Sequence, residues 1–123
     1  MPFQQPGWEG VDAVGKFIFE GQLKADFEDR LLAHLQVVIG SKLRRGESFH
    51  FTWRDDASIG DGRTTIWLHP RSVLVYKYYG SRRVPLNPAW LGALTYTANS
   101  PQGLYVVPEP APDAEAVKFD EAH

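Results

Sequence analysis

The sequence predicts an α+β fold: an antiparallel sheet with one long helix packed on a face and a second, short C-terminal helix. Three patterns carry that expectation. Phe49, Phe51 and Trp53 alternate with His50, Thr52 and Arg54, the period of a half-buried strand. Phe27, Leu31, Leu35, Val38 and Ile39 recur at the spacing of an amphipathic helix. The elements follow in the order β-β-α-β-β-β-α-β, with short connections that favour antiparallel pairing.

Taken in order, residues 1–13 hold Pro2, Pro6, Gly7 and Gly10 without a sustained period and read as a flexible arm. Residues 16–20 and 23–25 read as strands joined at Glu20-Gly21-Gln22, where Gly21 supplies the positive φ a tight turn needs. Asp26 reads as the N-cap of the long helix, with Asp29 three residues on as in a capping box. Glu28 and Asp29 suit the positive end of the helix dipole, Lys42, Arg44 and Arg45 the negative end, and Gly46 the C′ position. Gly40 is out of place inside a helix; it marks either an early end or close packing against the sheet.

Strands are expected at 47–54, 63–69 and 72–79, separated by the polar loop 55–62 and the turn at Pro70-Arg71. Asn87 and Pro88 form a well-matched N-cap and N1 pair for the second helix. Its apolar stripe is Trp90, Leu91, Leu94 and Ala98, and Asn99-Ser100-Pro101 ends it. Residues 104–107 make a last strand. One domain, 14–110, is expected, followed by an acidic tail at 111–123 that has too little apolar content for a core and reads as disordered.

Bulk properties narrow the function classes. The 123 residues carry a formal net charge of -2 and include no cysteine, which excludes a disulfide framework and thiolate metal sites and fits a cytoplasmic protein. No signal-peptide pattern opens the chain, and no apolar run is long enough to span a membrane. The segment 108–123 carries five carboxylates against Lys118, so the rest of the chain is about +2. A weakly basic body with an acidic end suits electrostatic self-masking or simple solubilisation.

Several runs of residues resemble a family of small, uncharacterised actinobacterial proteins. They are residues 29–38 (DRLLAHLQVV), 43–49 (LRRGESF), 60–65 (GDGRTT) and 99–104 (NSPQGL). Proteins similar to this one often carry the label "ATP-dependent DNA ligase". That label implies Lys-x-Asp-Gly, whose Lys amine attacks the α-phosphate of ATP. Here Lys24-Ala25-Asp26-Phe27 has Phe in place of Gly, and Phe27 is accounted for as core.

Other near-matches have plainer explanations. Gly10 to Lys16 fits Gly-x4-Gly-Lys, but Phe17 stands where a phosphate loop needs Ser or Thr. Asp55, Asp56 and Asp61 crowd one loop between His50 and His69, which suits a solvated hairpin loop as well as a weak Ca²⁺ or Mg²⁺ site. His34 and His50 have no nucleophile-elbow motif to serve. Catalytic residues, cofactors and metals are therefore not expected.

The aromatic and basic residues of the three-strand unit carry more weight. Arg54, Trp67, Lys77, Tyr78, Arg82 and Arg83 are the candidate contact residues. They suit the cover of a second small core, a protein interface or homo-oligomer contact, or a single-strand nucleic-acid surface. The function expected is a non-catalytic binding or accessory module working through protein–protein contact or self-association. The alternative is a nucleic-acid-associated protein, either an ssDNA- or RNA-binding accessory or a DNA ligase-like protein as the label of the similar family implies.

Overall fold

The computed structural model describes residues 13–55, 60 and 62–111. Two three-stranded sheets and two helices enclose one core. The strands are β1 (Val14–Phe19), β2 (Leu23–Glu28), β3 (Phe49–Arg54), β4 (Arg63–Leu68), β5 (Leu74–Lys77) and β6 (Leu104–Tyr105). The helices are α1 (Asp29–Arg44) and α2 (Pro88–Ala98). The α+β class and the element order are those expected from the sequence. The expected arm at 1–13 and tail at 111–123 fall almost wholly outside the described residues.

β1 and β2 form a hairpin whose turn residues Glu20 and Gly21 both take positive φ, 55° and 72°, matching the twist of the strands it joins. The strand continues further than the sequence suggests. Asp26 is no N-cap: it sits in β2 opposite Lys16, whose Nζ donates to its carboxylate at 2.7 Å. Ala25 and Phe27 alternate inward, so the two-residue period claims Phe27 and the helix starts at Asp29. The C-terminus is a Schellman motif: Glu47 N–H donates to Lys42 O and Gly46 N–H to Leu43 O, with Gly46 at φ 79°.

The three strands after α1 do not form one meander. β3 and β4 pair antiparallel, but β5 leaves them and pairs antiparallel with β1, giving the orders β2-β1-β5 and β4-β3-β6. The Pro70-Arg71 turn is thus a crossing between sheets. Its exit is held at the β1–β2 turn, where Glu20 N–H donates to Val73 O at 2.8 Å and Val73 N–H donates to Glu20 Oε2 at 3.1 Å. β6 pairs parallel with β3, reached through α2.

The inner faces of the sheets meet in an aromatic cluster. Phe17 lies 5.6 Å from Phe51 and 6.1 Å from Trp53, while Phe27 lies 5.8 Å from Trp53, at the offset and edge-on geometries rings prefer. α1 covers this cluster with Leu32, Leu35, Val38 and Ile39, and α2 adds Trp90, Leu94 and Ala98. Leu35 and Val38 of the helical stripe are buried, as are Phe49, Phe51, Ile66 and Leu68 of β3 and β4. Leu31 is half-buried, and Leu32 takes the deep position.

Asn87 caps α2 as its sequence suggests, its Oδ1 accepting from Ala89 N–H at 3.0 Å. Among the described residues, no helix is long and apolar enough to cross a membrane.

Candidate functional site: an arginine-lined groove beside α1

Among the described residues, no further element covers the outer side of α1. Ala33, Gln36, Val37, Gly40, Ser41 and Arg44 recur at helical spacing there and form one wall of an open groove of about 930 Å³. Tyr76 and Tyr78 contribute its base, and the loop 80–86 supplies the other wall through Arg82, Arg83, Val84 and Leu86. Among the described residues, Arg44, Arg82 and Arg83 have no carboxylate partner and no acidic side chain lines the groove. Apolar surface lies beside this charge: Val37 is 38% exposed and Leu86 47% exposed.

Gly40 gains its meaning here. The helix runs straight through it to Arg44, and a Cβ at this position would meet nothing within 4 Å. The glycine does not serve close packing on the sheet. It leaves bare helix backbone in the groove wall.

The arginine-bearing loop is fastened at both ends to the first turns of α1. Asp29 accepts Tyr79 N–H at 3.0 Å and Gly80 N–H at 2.8 Å. Arg30 Nη1 donates to Pro85 O at 3.0 Å. His34, fully buried, accepts Asn87 N–H on Nε2 at 2.8 Å, which requires the neutral tautomer with Nδ1–H donating to Arg30 O at 2.7 Å. Burial keeps the His34 pKa below its ordinary value, consistent with that neutral ring. Three neighbouring positions of one helix therefore set both feet of the loop. Tyr78 adds a contact across the groove base, its hydroxyl donating to Gln36 Oε1 at 2.7 Å. Burial, then the Asp29 charge, holds the Tyr78 hydroxyl above the ordinary phenol range, so it remains a donor.

The six contact residues expected from the sequence divide among three surfaces. Tyr78, Arg82 and Arg83 line the groove. Trp67 and Arg54 lie on the outer face of the β4-β3-β6 sheet, and Lys77 lies on the outer face of β2-β1-β5. Trp67 is 50% exposed and meets His50 edge-on at 4.8 Å. Tyr105 from β6 joins that outer face, opposite Thr52 in the ladder. Trp67 is therefore not the cover of a second core, whereas Tyr76 and Tyr78 do pack against the main one.

Arg44, Val37, Leu86 and Gly40 are not recognisable as site residues from the sequence alone. The signal was present in the helical spacing of 33, 37, 40 and 44, but reading it required the loop 80–86 to be placed opposite.

The remaining motifs are occupied by structure. Lys24 lies on the exposed face of β2, and Phe27 is in the core. Gly15-Lys16-Phe17 lies within β1 rather than at the start of a helix. Asp55 closes its loop by accepting Thr64 Oγ1–H at 2.7 Å; Asp56 and Asp61 are outside the described residues. Among the described residues, no three His, Cys, Asp or Glu side chains gather as metal ligands. Lys42 is buried and committed, donating to Glu47 at 2.8 Å and to Asn99 at 2.6 Å above the Phe49 ring.

A family model described as a domain of unknown function, DUF7882, matches residues 14–109. The matched span begins at β1 and ends at Glu109, whose carboxylate takes a two-point contact from Arg30 at 2.8 and 2.6 Å. No curated protein and no solved structure matches the chain.

Proposed function

We propose that this chain, which belongs to the DUF7882 family, is a non-catalytic protein-binding module whose α1 groove receives an acidic, partly apolar segment of a partner. The observation that carries the reading is the pairing of three arginines, without a carboxylate partner among the described residues, with exposed Val37 and Leu86 in one groove. A carboxylate-bearing peptide satisfies the guanidinium groups, and its apolar side chains cover the valine and leucine. The loop is anchored at both feet, so little ordering entropy opposes binding. A cytoplasmic setting goes with this reading.

The nucleic-acid reading rests on a different surface. His50, Trp67, Tyr105, Arg54 and Arg63 share the outer face of β4-β3-β6, an aromatic and basic composition suited to stacked bases. The weak charge of the body argues against strong phosphate-driven binding. The label "ATP-dependent DNA ligase" is not adopted, because Phe27 in the core occupies the position that nucleotidyl transfer gives to glycine.

Fluorescence anisotropy with a labelled peptide of mixed Glu, Ala and Phe tests the groove. Replacing Arg44, Arg82 and Arg83 by Gln should weaken binding about tenfold, the sum expected of three exposed ion pairs. Unchanged affinity in the folded triple variant would overturn the reading. Preference for a single-stranded oligonucleotide, lost in Trp67→Ala, would favour the second surface.

A further inference from the structure

We infer that the groove's resident ligand is the chain's own acidic C-terminal segment, 112–123. This rests on the peptide-binding reading above and adds its occupant. Arg30 precedes Ala33, Val37, Gly40 and Arg44 on the same stripe of α1. Its guanidinium holds Glu109 at the end of that stripe, and Asn87 Nδ2 donates to Glu109 Oε2 at 2.9 Å and to Pro110 O at 3.1 Å. Asn87 directly follows Leu86, which lines the groove. Glu109 and Pro110 are therefore held by the residue next to the groove lining.

The sequence that follows has the composition the groove asks for. Asp113, Glu115, Asp120 and Glu121 bring four carboxylates against Lys118, while Val117 and Phe119 bring apolar side chains. Arg44, Arg82 and Arg83 can take the carboxylates, and Val37 and Leu86 the apolar groups. Length is sufficient: the helix wall from Ala33 to Arg44 rises about 16 Å, and twelve residues reach about 40 Å when extended. Tethering raises the local concentration of the segment to the millimolar range, so weak contacts suffice to occupy the site. A stronger acidic partner then has to displace it. The segment lies beyond the family span of 14–109, so this self-occupancy belongs to this chain rather than to the domain as such.

The absence of cysteine makes a direct test available in the full chain. Ala116→Cys carries one nitroxide label, and ¹⁵N amide spectra are recorded with the label oxidised and reduced. The expected result is loss of the Val37, Gly40 and Ser81 to Val84 amide signals with the oxidised label. The loss should vanish in about 1 M salt, where the screening length is about 3 Å, and when Asp113, Glu115, Asp120 and Glu121 are all replaced by their amides. Groove amides at full intensity in low salt would overturn the inference. Signal loss on an unlabelled ¹⁵N chain mixed with labelled ¹⁴N chain would also overturn it, placing the segment on a second copy. A free Glu/Ala/Phe peptide added to the amide-tail variant separates the two claims. If it shifts the groove amides although the wild-type segment leaves them at full intensity in low salt, the self-occupancy fails and the partner reading stands. If the peptide shifts none, the partner reading fails.

Discussion

Replacing His34 by Ala should be among the most damaging single changes in this domain, although no catalysis is assigned to it. The side chain is fully buried and packs on Trp90 with ring centroids 4.6 Å apart. Its loss orphans the Asn87 N–H, which lies in a buried residue. An unsatisfied buried donor costs about 1–2 kcal/mol, and the lost ring volume and aromatic contact add about 2–3 kcal/mol. The expected total is about 4 kcal/mol, close to a 2 M fall in urea midpoint and a fall of at least 16 °C in melting temperature. The pH dependence gives a second readout. The folded His34 pKa lies below 6.5, so as pH falls below that value the unfolded chain binds a proton that the folded chain does not. Wild-type stability should therefore decline below pH 6.5, and His34→Gln should lose that part of the slope. A cost under about 1 kcal/mol for His34→Ala, about a third of the low estimate for orphaning and ring loss together, would refute the role given to the imidazole.

Other outcomes follow from single contacts. Glu109 is held at a pKa of about 2 by the Arg30 guanidinium, against an ordinary 4.5, so its stabilisation is complete above the ordinary value and is lost as pH falls through the folded one. Glu109→Gln should flatten that acid limb in pH-dependent urea melts, leaving the part due to Glu47, which Arg45 and Lys42 depress likewise. Gly40→Ala should stabilise α1 by up to about 1 kcal/mol in chemical denaturation, while lowering affinity for an acidic peptide by narrowing the groove. Incubation with ATP and Mg²⁺ should leave the intact mass unchanged, and an AMP adduct lost in Lys24→Ala would reinstate nucleotidyl transfer.

The fold was legible where local chemistry acts alone. Glu20-Gly21, the Gly46 termination and the Asn87-Pro88 start of α2 were each readable from a few adjacent residues, because turns and caps depend on neighbours in sequence. Partner choice among strands was not. β4 and β5 are joined by a short turn, yet β5 pairs with β1, since its Leu74 and Tyr76 pack with the Phe17 side of the core. The start of α1 was misplaced because Asp26 makes a good cap in isolation, while the β1 ladder gives it Lys16 instead. The site was half legible. The residue types Tyr78, Arg82 and Arg83 stood out, but Trp67, Arg54 and Lys77 belong to other faces, and Arg44 and Gly40 gained a role only once the loop was seen opposite them.

The central claim is that the α1 groove is the protein's binding surface. Amide shift mapping on the ¹⁵N-labelled full chain, titrated with the Glu/Ala/Phe peptide, tests it most directly. Val37, Gly40, Arg44 and the loop from Ser81 to Leu86 should shift together with one affinity, while His50, Trp67 and Tyr105 stay still. Shifts confined to the Trp67 face would contradict it.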